Sequence, residues 1–387
     1  RPTEFLNSSL EGPMAIEQTR RLVSTVTEDA KLQLSLQTAE LKPLKAGEVL
    51  IQVEAAPLNP SDQAVLFAFA DLSTGRQTGS AESPVFEADI PKPMMRMLGA
   101  RIGKAMPVGN EGAGTVVAAG EGAEGLVGKT VATMAGGMYA EHRVARAQDC
   151  LPVPPGISAR EAASSVVNPM TALCMVDVLK REGHKALVHT AAASNLGQML
   201  NRICIEDGIA LVNIVRKPEQ AQLLRDIGAK HVVDSSSEGF MPELVEAMAT
   251  TGATLAFDAT GGGQLASHIL TAMEAALSRD ASQYSVYGST THKQVYLYGG
   301  LDRSPTQLTR GYGMAWGVGG FLLPNHLAKI GQAEVGNLFG RVMAGLKTTF
   351  ASHYAQDVNL VGALQAEAIA RYSRQATGDK FLVTPAS

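Results

Sequence analysis

Short apolar segments alternate with single helical segments over residues 185–300, and this alternation constrains the fold more than any other feature. The segment ALVHT (186–190) precedes a stretch, 195–207, in which apolar residues recur at the spacing of one helix face. The strand-like segments IALVNIV, HVVD, ATLAFDAT and QVYLYGG follow, each separated from the next by a helical segment. Strands joined by single helices pair in parallel, so the sequence predicts an α/β domain with a doubly wound parallel sheet.

The first part of the chain has a different pattern. From about residue 30 to 153, short β-branched segments such as EVLIQVEAAPLNP are bounded by glycine and proline. This pattern is typical of a compact, mostly antiparallel β-domain. Within it, residues 61–107 form a long irregular segment with four closely spaced methionines, which either fill the core or form a lid over a substrate pocket. The strand-like ending TGDKFLVTP is expected to close back onto this domain.

Composition and charge argue against several kinds of partner. Thirty-three basic and 37 acidic residues give a net charge of −4 without a basic cluster, so a nucleic-acid surface is not expected. No apolar run reaches the roughly 18 to 20 residues of a membrane span, so no membrane association is expected. Three cysteines without a CxxC pair favour a reducing, cytoplasmic location. Residues 1–13 are interpreted as a trimmed or processed polar arm outside the fold.

A candidate phosphate-binding loop follows the first strand of the α/β domain. In such domains a dinucleotide pyrophosphate lies at a helix N-terminus, where small residues let the backbone approach it. Residues 190–197 (TAAASNLG) are small, Gly197 fits the close-packing position, and Ser194 and Asn195 are good N-cap residues with polar groups for phosphate. The alternative is an ordinary junction between a buried strand and a helix.

The residues after the second strand favour NADP(H) over NAD(H). The group that contacts the adenine ribose lies about 20 residues beyond the loop, and here that position holds Arg216 and Lys217 with no acidic residue. A carboxylate binds the 2′-hydroxyl of NAD, whereas two cations pair with a 2′-phosphate. Two solvated charges in a loop are the alternative.

The motifs occur in a familiar order: EVLIQVEAAPLNPSD, VGNEGAGTVVAAGEGAEGLVGKTV, NPMTAL, LLRDIGAKHVVD and FDATGGG. In this order the chain resembles the medium-chain dehydrogenase/reductase superfamily. The resemblance implies a GroES-like, β-rich catalytic domain formed by residues 1–158 and 345–387. It also implies a Rossmann dinucleotide-binding domain, residues 159–344, with the active site in the cleft and a homodimer formed through edge strands.

The positions of the superfamily's zinc ligands hold other residues. Zinc-dependent members carry a cysteine after the second strand and a GHE motif, whereas this chain reads NPSDQ, with Asp62, and GNEGAG, with Asn110. The chain is therefore similar to the zinc-free quinone oxidoreductases and the mitochondrial-type enoyl thioester reductases, and we expect no metal.

The same resemblance assigns the cofactor contacts. Thr171, in NPMTAL, would approach the nicotinamide, and Lys380, in TGDKFLV, matches a lysine that is often near the cofactor. The loop residues would hold the pyrophosphate of NADPH, and the two cations its 2′-phosphate. Further residues would line the cofactor cleft: Thr260, Gly261, Tyr298, Gly299, Gly300 and Phe321.

One catalytic residue that the resemblance implies is replaced in this chain. Enoyl thioester reductases of this type place a tyrosine shortly after the NPSD motif, where this chain has Phe67 and Phe69. The polar candidates for substrate contact are Asn59, Asp62 and Asn110, for which turn formation, a helix N-terminal acid and a buried amide are the respective alternatives.

These features predict an NADPH-dependent reductase of a small molecule, a quinone or an α,β-unsaturated carbonyl compound, without zinc. An enoyl-CoA or enoyl-ACP thioester reductase is one alternative. A protein that binds NADPH as a sensor or scaffold, without catalysis, is another.

Overall fold

The computed structural model describes residues 15–387, so the predicted N-terminal polar arm lies outside the described residues. The first part of the chain is β-rich, as predicted. It contains two short helices, α1 (Gln63–Phe67) and α2 (Lys92–Met95). Its strands are β1 (Gln18–Val26), β2 (Lys31–Glu40), β3 (Glu48–Pro57), β4 (Asp71–Gly79), β5 (Pro84–Asp89), β6 (Met106–Pro107), β7 (Gly112–Ala119), β8 (Thr130–Thr133), β9 (His142–Arg146) and β10 (Cys150–Pro152).

The rest of the chain alternates strands and helices before it ends in short elements. The helices are α3 (Ala159–Ala162), α4 (Val167–Glu182), α5 (Asn195–Asp207), α6 (Pro218–Asp226), α7 (Phe240–Thr251), α8 (Leu265–Ser278), α9 (Leu323–Ile330), α10 (Gln332–Ala344), α11 (Leu360–Ala363) and α12 (Ala366–Tyr372). The strands are β11 (Ala186–His189), β12 (Ala210–Val215), β13 (His231–Asp234), β14 (Leu255–Asp258), β15 (Gly261–Gly263), β16 (Lys293–Leu297), β17 (Asp302–Thr306), β18 (Trp316–Gly320), β19 (Gln356–Val358) and β20 (Phe381–Val383).

The β-rich part consists of two mainly antiparallel sheets. One has the strand order β4-β5-β2-β1-β6, and the other β10-β8-β7-β3-β20-β19, with β9 also paired to β3. In the second sheet, β20 pairs antiparallel with β3, so the C-terminal strand closes back onto this part of the chain, as expected. The domain boundaries at 158/159 and 344/345 stay predictions.

A six-stranded sheet confirms the predicted doubly wound α/β architecture. Its order is β13-β12-β11-β14-β16-β18, and every neighbouring pair is parallel. Side chains that alternate along β11 pack on opposite faces, Leu187 with α4 and α5, and Val188 with α7 and α8. The strand order reverses between β11 and β14, and ligands of such folds bind outside the carboxyl ends of the strands at this point.

The insertion at residues 61–107 contributes mainly to the β-domain. It contains α1, α2 and the hairpin of β4 and β5, which extends the first sheet beyond β2. Met94 and Met95 pack against the core, which agrees with their interpretation as core residues, whereas the side chain of Met97 is 69% exposed. The lid interpretation stays a prediction.

One helical stretch corrects the expectation about apolar length. Residues 159–182 are long and apolar enough to cross a membrane by length and composition alone. However, 89% of the apolar 18-residue stretch within this segment is buried inside the protein, as in a core helix. The reason is that α4 packs between the parallel sheet and its neighbouring helices.

Candidate functional site

The loop between β11 and α5 combines a capped helix N-terminus with a close backbone approach at Gly197. Ser194 is the N-cap of α5, and its Oγ accepts a hydrogen bond from the Gly197 N–H at 3.1 Å. A Cβ atom on Gly197 would lie 2.1 Å from the carbonyl oxygen of Ala192, so only glycine fits without a shift of the loop. The side chain of Asn195 instead donates its Nδ2 to Ser352 Oγ at 3.1 Å.

A buried pair of side chains, which the sequence did not indicate, holds together the two strand ends at which the strand order reverses. The Thr190 hydroxyl donates to Asp258 Oδ1 at 2.6 Å, and both side chains are fully buried. Asp258 also accepts the backbone N–H groups of Thr260 at 2.9 Å and Gly261 at 3.2 Å. The pair therefore fixes the carboxyl ends of β11 and β14 side by side, where the cofactor of this fold class binds.

Glycines let the segment that follows β14 and the segment that follows β16 approach each other closely. A Cβ on Gly261, whose φ is +78°, would lie 2.6 Å from the Gly299 carbonyl oxygen. Beside them, a cavity of about 450 Å³ lies at the ends of β16 and β18. Its lining includes three of the predicted cleft residues, Tyr298, Gly299 and Phe321. Gly300 is exposed next to it.

His189 supports one wall of this cavity and was missed in the sequence. Its Nε2 lies 2.6 Å from the Tyr298 hydroxyl, and the two rings stack with centroids 5.7 Å apart. Complete burial lowers the pKa of His189 to about 3, so the imidazole is neutral. Its position at the end of a buried parallel strand, followed by the glycine-containing loop, was the available signal.

The two predicted 2′-phosphate ligands are exposed and close to the loop. The Ala192 N–H donates to the carbonyl of Ile214 at 3.2 Å, which holds the loop against the end of β12, immediately before Arg216. Arg216 and Lys217 both face solvent, and neither forms an ion pair within residues 15–387. Two free cations beside a helix N-terminus favour a phosphate.

The three predicted catalytic residues lie together in the β-domain. Asp62 accepts the backbone N–H of Asn110 at 2.7 Å and that of Asn59 at 2.8 Å. Burial raises the pKa of Asp62 to about 7. Because both carboxylate oxygens bind backbone groups of the loops, Asp62 positions Asn59 and Asn110. The Asn110 side chain donates to Ser61 Oγ at 3.1 Å and is partly exposed.

Glu111, which was missed in the sequence, connects this cluster to α4. Its Oε1 accepts the Asn59 Nδ2 at 2.7 Å, and its Oε2 accepts the N–H groups of Val166 and Val167 at 2.9 and 2.8 Å. Thr171, the predicted nicotinamide contact, is buried one turn further along α4. The NEGAG motif contained the signal, an acidic residue immediately before a strand of mostly small and apolar residues.

Lys380 brings an unpaired charge to the same cluster. The Leu58 N–H donates to the carbonyl of Phe381, which places Lys380 beside Asn59. The Lys380 Nζ and the Asn59 Oδ1 are both buried, and neither has a hydrogen-bond partner within the described residues. Burial lowers the pKa of Lys380 to about 8, opposed by the charges of Glu111 and Asp62. Two unpaired buried polar atoms in one cluster are the feature of a site that a ligand completes.

No cluster of three or more His, Cys, Asp or Glu side chains that could hold a metal ion occurs in the part of the chain that the structure describes. The expected independence from zinc stays a prediction.

Sequence comparison finds relatives over part of the chain. Residues 45–155 match the alcohol dehydrogenase GroES-like domain family. The mitochondrial enoyl-acyl-carrier-protein reductase of Bos taurus is 28% identical over 208 residues, covering 52% of this chain and 48% of that protein. A quinone oxidoreductase of Pseudomonas aeruginosa is 28% identical over 158 residues, covering 40% of this chain and 49% of that protein. The matches thus span about half the length of these relatives.

Structural comparison covers almost the whole chain. A structure from Mesorhizobium loti, described as an NADPH:quinone reductase, superposes with a TM-score of 0.73 at 25% identity, covering 96% of this chain and 100% of that one. A mutant form of enoyl thioester reductase from Candida tropicalis superposes with a TM-score of 0.66 and covers 95% of this chain and 100% of that one. Its identity is 19%, so this second similarity shows the fold alone.

A GroES-like β-domain beside a doubly wound parallel sheet, with a glycine-dependent loop at the switch point, defines a two-domain dinucleotide-binding class of protein. The match to a GroES-like domain and the whole-chain structural similarity confirm the resemblance of the chain to the medium-chain dehydrogenase/reductase superfamily. Its relatives and structural neighbours are quinone oxidoreductases and enoyl thioester reductases.

We predict that Gly197→Val weakens NADPH binding at least about tenfold, because the new side chain collides with the Ala192 carbonyl and displaces the loop. Isothermal titration calorimetry measures the affinity. Gly336→Val is the matched control, since nothing lies within 4 Å of its Cβ position on exposed α10. Equal NADPH affinity of the wild type and Gly197→Val would show that the loop has only a structural role.

Proposed function

We propose that the protein is an NADPH-dependent reductase of quinones or α,β-unsaturated carbonyl compounds that works without zinc. The observation that carries this proposal is that Arg216 and Lys217, which form no ion pair with another described residue, lie beside a loop that requires glycine at position 197. The structural similarity to the protein described as an NADPH:quinone reductase, which covers 96% of the chain, supports the proposal.

The residues fit NADPH at each part of the cofactor. The α5 N-terminus would hold the pyrophosphate, the two cations the 2′-phosphate, and the buried Lys380 Nζ a further anionic or hydroxyl group. The nicotinamide would lie in the cavity beside Tyr298 and Phe321. When bound, NADPH supplies a hydride, and the protein's contribution is to orient it and exclude water.

Substrate reduction also requires a proton. The protein's side chains offer no tyrosine at the position after the NPSD motif, where Phe67 and Phe69 stand. We infer that solvent supplies the proton once the substrate carbon has received the hydride, while the partly exposed Asn110 amide hydrogen-bonds the substrate oxygen. Asp62 and Glu111 act as positioning residues, since their oxygens already accept hydrogen bonds from the protein.

Reduction of an enoyl thioester is the second candidate function. It is favoured by the relatives named enoyl-acyl-carrier-protein reductases, which match about half of the chain. The phenylalanines after the NPSD motif argue for the quinone or enone substrate, because these reactions tolerate the loss of a tyrosine donor more easily.

We expect the protein to oxidise NADPH in the presence of 1,4-naphthoquinone or an aryl enone, and to do so faster than with crotonyl-CoA. Absorbance at the NADPH band follows the reaction. Tight NADPH binding with no turnover of any of these compounds contradicts a reductase and favours a binding protein. A preference for crotonyl-CoA supports the thioester reductase instead.

The cofactor preference of the same reaction depends on the two cations. The double variant Arg216→Ser, Lys217→Ser should lower kcat/KM for NADPH about ten- to a hundredfold and leave kcat/KM for NADH nearly unchanged. A double variant that keeps its NADPH preference would mean that other residues bind the 2′-phosphate.

The affinity for NADPH should fall as the pH rises above 8. Burial lowers the pKa of Lys380 to about 8, and its charged form binds an anion, so the contribution is present below this pH and lost above it. Lys380→Arg keeps its charge and should give an affinity that changes little between pH 8 and 9, while the wild type weakens by up to about tenfold. Glu111, Asp62 and Tyr354 face the same position and are unchanged in this variant. Parallel pH profiles of the two proteins would exclude Lys380 from the cofactor site.

We also propose a homodimer formed through β18, in a reducing compartment such as the cytoplasm. β18 is an edge strand of the six-stranded sheet, and two exposed side chains, Met314 and Tyr287, lie together near its start. Trp316 packs edge-on against buried Tyr312, so it supports this edge from inside. The three cysteines are free and buried, which suits a reducing compartment.

Sedimentation velocity tests the assembly. The wild type should sediment as a dimer at micromolar concentration, and Tyr287→Lys with Met314→Lys should shift it toward the monomer. A monomeric wild type contradicts the proposed interface.

A further inference from the structure

A cation–π contact joins Phe69 of the β-domain to Arg303 of the parallel-sheet domain. The Arg303 guanidinium carbon lies 5.7 Å from the centroid of the Phe69 ring, within the range of a cation–π interaction. Phe69 follows α1, which begins next to Asp62. Arg303 lies on β17, just beyond the carboxyl end of β16 and the cavity beside Tyr298. The contact therefore spans the cleft between the two parts of the protein.

The backbone that presents Phe69 is strained. Ala68 and Phe69 have φ values of +46° and +64°, in the left-handed region that normally favours glycine. The turn is held in place by α1, whose last carbonyls accept hydrogen bonds from Ser24 and Arg101. Strain of this kind persists where the surrounding structure fixes it, and it concentrates at sites that bind ligands.

The charge of Arg303 has no counter-ion. The residue is exposed and forms no ion pair within residues 15–387. The adjacent carboxylate, Asp302, instead accepts the backbone N–H of Ser304 at 2.8 Å and stays on its own strand. The Phe69 ring covers one face of the Arg303 guanidinium. The N–H donors of the guanidinium lie in its own plane and are not covered by the ring. A carboxylate, sulfonate or phosphate that enters the cleft can occupy these donors.

We propose that Phe69 and Arg303 select substrates at the entrance to the cleft, and that they favour a substrate with an acidic substituent. The Phe69 ring holds the guanidinium over the entrance, and the guanidinium binds the acidic group while the reactive end of the substrate reaches the cavity. This inference rests on the proposed reductase function for the orientation of the substrate, but the binding preference itself can be measured without turnover.

A matched pair of ligands isolates the charge. The enone 4-(3-oxobut-1-enyl)benzoate and its methyl ester differ in one negative charge, and each is titrated by calorimetry into protein saturated with NADP⁺. The wild type should bind the carboxylate about five- to tenfold more tightly than the ester at low salt. The preference should shrink in 0.5 M NaCl, because the Arg303 charge is exposed and therefore screened.

Three variants assign the preference to this pair. Arg303→Gln should bring the affinity ratio close to one, and Phe69→Leu should lower it by removing the ring that holds the guanidinium. Arg225→Gln removes an exposed positive charge from α6, away from the cleft, and should keep the wild-type ratio. Equal melting temperatures and NADP⁺ affinities of Arg303→Gln and the wild type confirm that the variant is folded.

Two results overturn the inference: equal affinity of the wild type for both ligands, and a preference that survives in Arg303→Gln. The outcome is separate from that of the proposed function. If both ligands bind with the expected ratio and neither is reduced in the presence of NADPH, the proposed reductase activity fails and the selection by Phe69 and Arg303 stands. If both are reduced at equal kcat/KM and bind equally, the reductase stands and the selection fails.

Discussion

The carboxylate of Glu111 is the interaction on which the arrangement of the site depends. A buried carboxylate is costly unless its oxygens accept hydrogen bonds, and here they accept three, from Asn59 and from the first N–H groups of α4. The carboxylate thus joins three separate parts of the chain: its own segment just before β7, the loop after β3, and the helix that leads into the parallel sheet. One side chain therefore fixes the orientation of the β-domain loops relative to α4, and with it the distance between Asn110 and Thr171.

The second half of the site is built mainly from backbone. Thr190 and Asp258 use their side chains to hold two strand ends, and Gly197, Gly261 and Gly299 let the backbone segments there approach closely. The first N–H groups of α5 are the donors that this arrangement offers to a ligand. Such groups bind phosphate and amide oxygens without the entropy loss of a long side chain. This explains why a loop with a single glycine can form a phosphate-binding site. The space at Gly197 is set by the Ala192 carbonyl, whereas alanine and serine are small enough at the other positions.

The sequence predicted the parts that repeat and missed the parts that depend on distant partners. The alternation of strands and helices is a local property, so the parallel sheet and the position of the loop followed from it. Asn195 was predicted to contact phosphate, yet its amide donates to Ser352, more than 150 residues away in sequence. Glu111 and His189 were missed for the same reason, because burial and hydrogen-bond partners across the fold decide whether a polar residue is structural or functional.

The strained turn at Ala68 and Phe69 shows that a contact with a residue distant in sequence can also account for an unusual backbone conformation. Each left-handed non-glycine residue costs about 1 to 3 kcal/mol, and the sequence offers no glycine there. Burial of Leu66 and Phe67 beside the turn stabilises by a similar amount per side chain, about 1.5 to 3 kcal/mol each, so the fold tolerates the strain. A glycine at position 69 would relieve the backbone but remove the ring that contacts Arg303. The strain is therefore best understood as the cost of placing an aromatic side chain, rather than a bare turn, at the edge of the cleft.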